Sequence, residues 1–283
     1  MLPESRLFNF IDPKNGFTIS FFEGQKVIHD LAIIHNLKNK GFHFFRNSIL
    51  SSLPLVNFLK PQENMGLFID SDEPYFRLKI EMNSSGNMRT LLLPETFDEL
   101  PETFTGQVRQ SKMFPHSPSP YTSIMKVNSQ STNEVINMIL KDSYQINSEV
   151  FLSDTSDQAV LFSRLPQKNV NKEEVVERKT LKEYWSEIEP RISELFQNSV
   201  TDFEKIESSI VSLGFELIGT KDIAFKCNCS RDRMVTGIAS LTGNSTINDI
   251  FDGKESLEAK CDYCKTDYLI TKDEIINLIQ LKH

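Results

Sequence analysis

Glycine is sparse in this chain, 11 residues in 283, tryptophan occurs once and cysteine only four times. With so little glycine no phosphate-cradling loop is evident, and no His-Glu-x-x-His, Gly-x-Ser-x-Gly or phosphate-loop pattern occurs. The five histidines, His29, His35, His43, His116 and His283, do not form a set with the cysteines. Asp70, Asp72 and Glu73 read as a polar turn before Pro74 rather than a catalytic cluster. The chain is therefore not expected to be an enzyme. No apolar run approaches the ~18 residues of a membrane span. The first residues, MLPESRLFNFIDPKNG, lack a basic stretch followed by an apolar one. These absences lead to the expectation of a soluble, cytoplasmic protein with no membrane partner. Positive charge is short as well: 31 Lys and Arg face 39 Asp and Glu, a net charge of −8. Such a chain has no overall electrostatic footprint for nucleic acid, and none is expected as a partner.

What is present is ordinary globular material, 39% hydrophobic and 25% charged, long enough for about two domains and a core that needs no disulfide staples. Residues 1–166 are aromatic-rich and prone to strands. Residues 16–22 predict a strand, and the apolar spacing of 25–37 and 47–59 predicts helices. Strands are expected at 66–70, 74–82 and 87–93. Phe76, Leu78, Ile80 and Met82 keep strict period two, the mark of one buried face, and Ser84, Ser85, Gly86 and Asn87 supply hairpin turn chemistry. Further strands are expected at 103–113 and 121–127, on either side of a proline-punctuated loop. A helix is expected over 131–144, with Val135, Ile136, Ile139 and Leu140 on one face, followed by strands near 146–152 and 159–165. The fold class is α+β, with a mainly antiparallel sheet and helices in this N-terminal domain. Phe21, Phe22, Phe44 and Phe45 are assigned to its core.

Residues 167–221 read as a charged helical linker: between 171 and 194, 12 of 24 positions are charged. Val175, Leu181, Trp185, Ile188, Ile192 and Leu195 recur at roughly helical spacing, Thr180 and Glu183 suggest a capping box, and Pro190 is expected to kink or break the helix. A second helix spans 202–213 and stops at Gly214. The narrow apolar stripe makes these helices dependent on neighbours. Residues 222–283 form a small C-terminal α+β unit: a strand at 223–226, a helix from 230 to 243, a hairpin, and a last helix behind a Thr271–Glu274 capping box.

All four cysteines lie in that last unit, as Cys227-Asn228-Cys229, then 31 residues, then Cys261-Asp262-Tyr263-Cys264. In a reducing compartment such clusters bind metal or do chemistry more often than they form structural disulfides. Two short-spaced pairs supply the four soft ligands that zinc takes in a tetrahedron, so Cys227, Cys229, Cys261 and Cys264 are the candidate ligands of one zinc ion per chain. A unit this small would be marginal without a metal. The Cys-x-Cys pair is also close enough to form a tight disulfide. From the residues alone a structural zinc, a redox-sensing thiolate set and a metal-free thiol cluster all stay open. A zinc-ribbon nucleic-acid binder would use the same ligands, but Asp249, Asp252, Glu255, Glu258 and Asp262 around the second pair oppose it. Arg231 and Arg233 either lower the thiol pKa values or merely face solvent.

The string Cys227-x-Cys229-Ser230-Arg231-x-Arg233, followed by Cys261-x-x-Cys264 and Tyr268, resembles the sensor signature of the redox-regulated 33 kDa heat-shock chaperones of bacteria. Asp72 to Arg89 is similar to that family's strand and Gly-x-x-Arg turn. Pro120-Tyr121, Tyr144-x-x-x-Ser148-Glu149 and Leu165-Pro166 match further landmarks. Thr90 and Val150 stand where the family carries glycine and glutamine, and the glycine expected after Pro120-Tyr121 is Ser123 or absent, so the N-terminal domain reads as divergent. The resemblance implies an ATP-independent holdase that binds unfolding proteins and works as a homodimer. It implies that reduced cysteines hold zinc and that oxidation pairs Cys227 with Cys229 and Cys261 with Cys264. Metal loss would then unfold the sensor, loosen the linker and expose apolar surface. Constitutive chaperoning with a purely structural zinc is the alternative.

Overall fold

The computed structural model describes residues 2–95, 102–166 and 179–281; Val175, much of the charged run and His283 lie outside them. The chain divides into two compact units, Met1–Phe225 and Lys226–His283. In the first, β1 (Ser5–Asp12) and β2 (Phe17–Glu23) form a hairpin, followed by α1 (Gln25–Ile34) and α2 (Asn39–Ser52). A 3-10 turn, Leu53–Phe58, precedes the meander β3 (Asn64–Glu73), β4 (Tyr75–Asn83) and β5 (Asn87–Leu93). Next come β6 (Phe104–Met113), β7 (Tyr121–Gln130), α3 (Thr132–Asp142), β8 (Ser148–Leu152) and β9 (Gln158–Arg164). The expected linker supplies α4 (Leu181–Gln197) and α5 (Phe203–Val211), and β10 (Glu216–Phe225) closes the unit.

Ten strands share one sheet in the order β7-β6-β3-β4-β5-β10-β1-β2-β9-β8. All pair antiparallel except β5 with β10, which meet in parallel at Asn87–Ala224 and Met88–Phe225. That junction needs Gly86: its φ is +84°, and a Cβ there would run into the Asp222 carbonyl. Strand alternation then sorts side chains onto two faces. Leu7, Phe22, Ala159 and Leu161 join the large core under α1, α2 and α3. Phe8, Phe10, Phe17, Ile19, Phe21, Val160 and Phe162 point to the other face and form a second core with α4 and α5. All four phenylalanines at 21, 22, 44 and 45 are buried, as expected of core residues.

Four features differ from the sequence reading. β1 was not foreseen, because Leu7, Phe8 and Phe10 are buried on both faces and do not alternate. The second helix begins at Asn39 rather than 47 and gives way to a 3-10 turn at Leu53, where Pro54 cannot continue the ladder. The strand expected at 223–226 is the end of β10, which belongs to the large sheet. The helix α4 also runs through Pro190 without a break. Pro190 is exposed and forfeits only the bond to the Ser186 carbonyl on the solvent side, while Tyr184, Trp185, Ile188, Ile192, Leu195 and Phe196 are buried on either side of it. Thr90, in the family's glycine position, is fully buried, its Oγ1 2.7 Å from His35 Nε2.

The second unit contains α6 (Arg231–Leu241), α7 (Ile247–Phe251), the hairpin β11 (Ser256–Lys260) and β12 (Asp267–Thr271), and α8 (Lys272–Gln280). Its core is small: Val235, Ile238, Ala239, Phe251, Ile270 and Ile275. Capping boxes at Thr246–Asp249 and Thr271–Glu274 set the starts of α7 and α8.

Candidate metal centre

Cys227 and Cys229 sit in the irregular segment between β10 and α6, and Cys261 and Cys264 in the turn joining β11 to β12. Ser230 starts α6 by accepting a hydrogen bond from the Arg233 N–H, which fixes the first pair just ahead of the helix. The second pair is shaped by bonds from Cys261 N to Thr266 O (2.9 Å) and from Lys265 N to Cys261 O (2.8 Å). All four Sγ atoms lie within 4.8 Å of one another. Cys227 Sγ is 3.7 Å from Cys261 Sγ, and Cys229 Sγ is 3.3 Å from Cys264 Sγ. A tetrahedral zinc with Zn–S of about 2.3 Å sets its sulfurs about 3.8 Å apart. No disulfide links them. Cys261 is buried and the other three are half-buried. The donor set fits a soft metal ion and requires little further closure.

Electrostatics set what a cation must displace to bind this cluster. Burial, with the thiols of Cys229, Cys261 and Cys264 close by, pushes Cys227 up to about 12, and burial raises Cys261. Cys264 is held down at about 6: burial opposes this, but hydrogen bonds from the Thr266 hydroxyl and backbone N–H, and from its thiol neighbours, outweigh it. Without a metal Cys227 and Cys261 therefore keep their protons at neutral pH, and a bound cation must displace them. The Tyr268 hydroxyl lies 3.1 Å from Cys229 Sγ, and that bond pushes the phenol up to about 12.

Arg231 and Arg233 do not tune the thiols. Arg231 donates to both carboxylate oxygens of Glu274 (2.8 and 3.0 Å) and to the Leu269 carbonyl, tying α6 to β12 and α8. The bond from Arg231, with the Thr271 N–H, holds Glu274 down at about 2. Arg233 donates to the Asn228 carbonyl between the first two cysteines, bracing their loop. Sequence reasoning missed Thr266, 3.2 Å from Cys264 Sγ. Its only signal was a hydroxyl two residues past a Cys-x-x-Cys turn. Glu258, noted beside the second pair, is exposed on β11.

Known proteins resemble this chain along its length. The 33 kDa chaperonin of Bacillus pumilus is 36% identical over 104 residues, 37% of this chain and 34% of the relative. That of Bacillus subtilis is 36% identical over 93 residues, 33% and 31% of the two chains. The alignments thus span about a third of the length of these curated relatives. The crystal structure of the 33 kDa chaperonin (Hsp33 homolog) of Thermotoga maritima superposes with a TM-score of 0.72 at 17% identity, covering 99% of this chain and 98% of that one, so the fold is shared. The Hsp33 protein family matches residues 5–271, both units included. The chain belongs to the Hsp33 family, a family of chaperones rather than enzymes.

Proposed function

We propose that this protein is a redox-regulated, ATP-independent holdase that captures unfolding proteins under oxidative stress. The observation that carries the reading is the convergence of four free thiols in a unit whose own core is only six residues. In the reduced state Cys227, Cys229, Cys261 and Cys264 hold one zinc ion per chain, which supplies the folding free energy that this core lacks. An oxidant such as peroxide takes two electrons from each thiol pair, forming one S–S bond and leaving water. The pairing follows the family: Cys227 with Cys229 and Cys261 with Cys264. Each disulfide consumes two of the donors, so the oxidised and metal-bound states exclude one another.

Division of labour follows the chain: residues 1–166 as chaperone domain, 167–221 as linker and 222–283 as sensor. The linker helices α4 and α5 cover a face rich in phenylalanine, namely Phe8, Phe10, Phe17, Phe21 and Phe162. Their release would offer that face to clients. β10 continues directly from α5 towards Cys227, a covalent path from sensor to linker. Homodimer formation and a cytoplasmic site of action belong to the same reading. Among the described residues no helix is long and apolar enough to cross a membrane. The test is suppression of aggregation of a chemically denatured client. The oxidised protein should suppress it and the reduced, zinc-loaded protein should not. Equal suppression by both forms would leave a constitutive chaperone with a structural zinc.

A further inference from the structure

The half-sheet β7-β6-β3-β4-β5 has one face packed under α1, α2 and α3. On its other face the register aligns side chains in rows. One row reads Ile124, Arg109, Phe68, Lys79 and Leu91 across the five strands. The neighbouring row reads Lys126, Gln107, Asp70, Arg77 and Leu93. Asp70 is taken by Arg77 at 3.5 Å, and one row further Glu81 is taken by Arg89. Lys79, Arg109 and Lys126 have no acid within ion-pair distance among the described residues. In a chain of net charge −8 this is a local reversal of sign on a surface exposed at Arg77, Arg109, Ile124 and Lys126, half-buried at Phe68 and Lys79 and buried at Leu91. It is also partly apolar. The Phe68 ring lies over Gly66, where a Cβ would strike it, with Arg109 and Lys79 at 4.6 and 5.7 Å from its centroid. Ile124 and Tyr75 are 64% and 63% exposed.

We propose that this face is a docking surface for extended client segments that combine carboxylates with apolar side chains. The carboxylates meet Lys79, Arg109 and Lys126, and the apolar groups meet the exposed Ile124 and Tyr75. The proposal rests on the holdase reading and names the client chemistry that this face selects. Charge complementarity argues for an acidic occupant. A single-stranded nucleic acid fits less well: base stacking needs a free aromatic face, and Phe68 is already covered by two cations. A continuous phosphate run would also be repelled by the net charge of the chain, whereas a peptide carries its carboxylates at spaced positions.

The test uses the full-length oxidised protein and a variant combining Lys79→Gln, Arg109→Gln and Lys126→Gln. Binding of a labelled peptide of mixed glutamate, serine and leucine is compared with that of its lysine counterpart and of an oligothymidylate. The expected result is preference for the glutamate peptide, weakening with added salt. The variant should bind it about tenfold less tightly, from three surface charge contacts of modest worth each, while keeping the circular dichroism of the folded wild type. Equal binding of both peptides, failure to bind the glutamate peptide, salt-independent binding, unchanged affinity in the variant, or preference for the oligothymidylate would each overturn the proposal. Oxidised against reduced wild type on a denatured client reads the holdase activity separately. Suppression by the wild type with no change in the variant on an acid-rich client leaves the holdase standing and removes this face.

Discussion

Glu23, at the end of β2, is fully buried, and its two carboxylate oxygens are unequally served. Oε1 accepts the Gln25 N–H at 3.1 Å, while Oε2 has no partner. Asp157, whose charge acts on Glu23, is itself paired with Arg46 at 2.7 Å. Burial first, and then the charge of Asp157 despite the Gln25 bond, raises Glu23 from its ordinary 4.5 to about 7. A carboxyl whose folded pKa is raised binds more protons folded than unfolded. Its contribution to stability is therefore fully present below 4.5 and is lost as pH rises through about 7. Over that interval, at about 1.4 kcal/mol per pKa unit, the loss amounts to ~3 kcal/mol. Glu23→Gln keeps the acceptor for Gln25 but leaves an amide N–H without a partner, at a cost of about 1 kcal/mol. The variant should thus be more stable than wild type by roughly 2 kcal/mol above pH 7, and the advantage should vanish and reverse towards pH 4.5. Urea unfolding of both reduced, metal-loaded proteins across this range measures it. The difference between them cancels the titration of the thiols. A difference that stays flat with pH would refute the argument that Glu23 is a buried, unpaired acid.

Metal analysis of the reduced protein should find one zinc per chain, and Cys261→Ser with Cys264→Ser should abolish tight binding and unfold the second unit, seen as lost helical circular dichroism. Trp185 is buried and stacked on Phe151, ring centroids 3.6 Å apart. If α4 lifts off on oxidation, its emission should shift to the red and become quenchable by acrylamide; an unchanged spectrum in active, zinc-free protein would show that α4 stays in place. The buried Tyr184 hydroxyl donates to Asp12 at 2.5 Å, linking α4 to β1. Tyr184→Phe should cost about 1–3 kcal/mol and speed hydrogen exchange in α4, whereas unchanged exchange would mean that apolar packing alone holds the helix.

Strict alternation was legible in sequence where one face is wet. β4 shows Phe76, Leu78, Ile80 and Met82 in strict alternation because its other face is open to solvent. The same holds for α3, whose apolar stripe announces it. β1 and β2 sit between two cores, under α1 and α2 on one side and α4 and α5 on the other. Both of their faces are apolar, so alternation disappears and only a hydrophobic run is left. The charged helices showed only a narrow stripe. Half of the positions around them are charged, yet α4 buries six side chains, of which Trp185, Ile188, Ile192 and Leu195 lie on the stripe read from the spacing and Tyr184 and Phe196 widen it. Tertiary burial by β1, β2 and β9 overrides the weak local propensity.

The thiol cluster was legible because its geometry is local. Each cysteine pair is set by a short segment, a helix cap at Ser230 for one and a tight turn for the other, so spacing alone pointed to the four thiols that the fold brings together. What spacing does not encode is which groups surround them. Arg231 lies two residues from Cys229, and proximity in sequence suggested an electrostatic role. The first turn of α6 instead aims its guanidinium at Glu274, 43 residues on. Thr266, just ahead of β12, and Tyr268, on it, reach the thiols. The consequence is a division between stability and chemistry within the small unit. Arg231 and Glu274 join its elements at the surface, where an ion pair contributes little. The buried core is six residues, so on the proposed reading the four sulfurs and a bound cation would carry much of the folding free energy. A unit built that way would respond to the oxidation state of its ligands, whereas the core under α1, α2 and α3 would not depend on them.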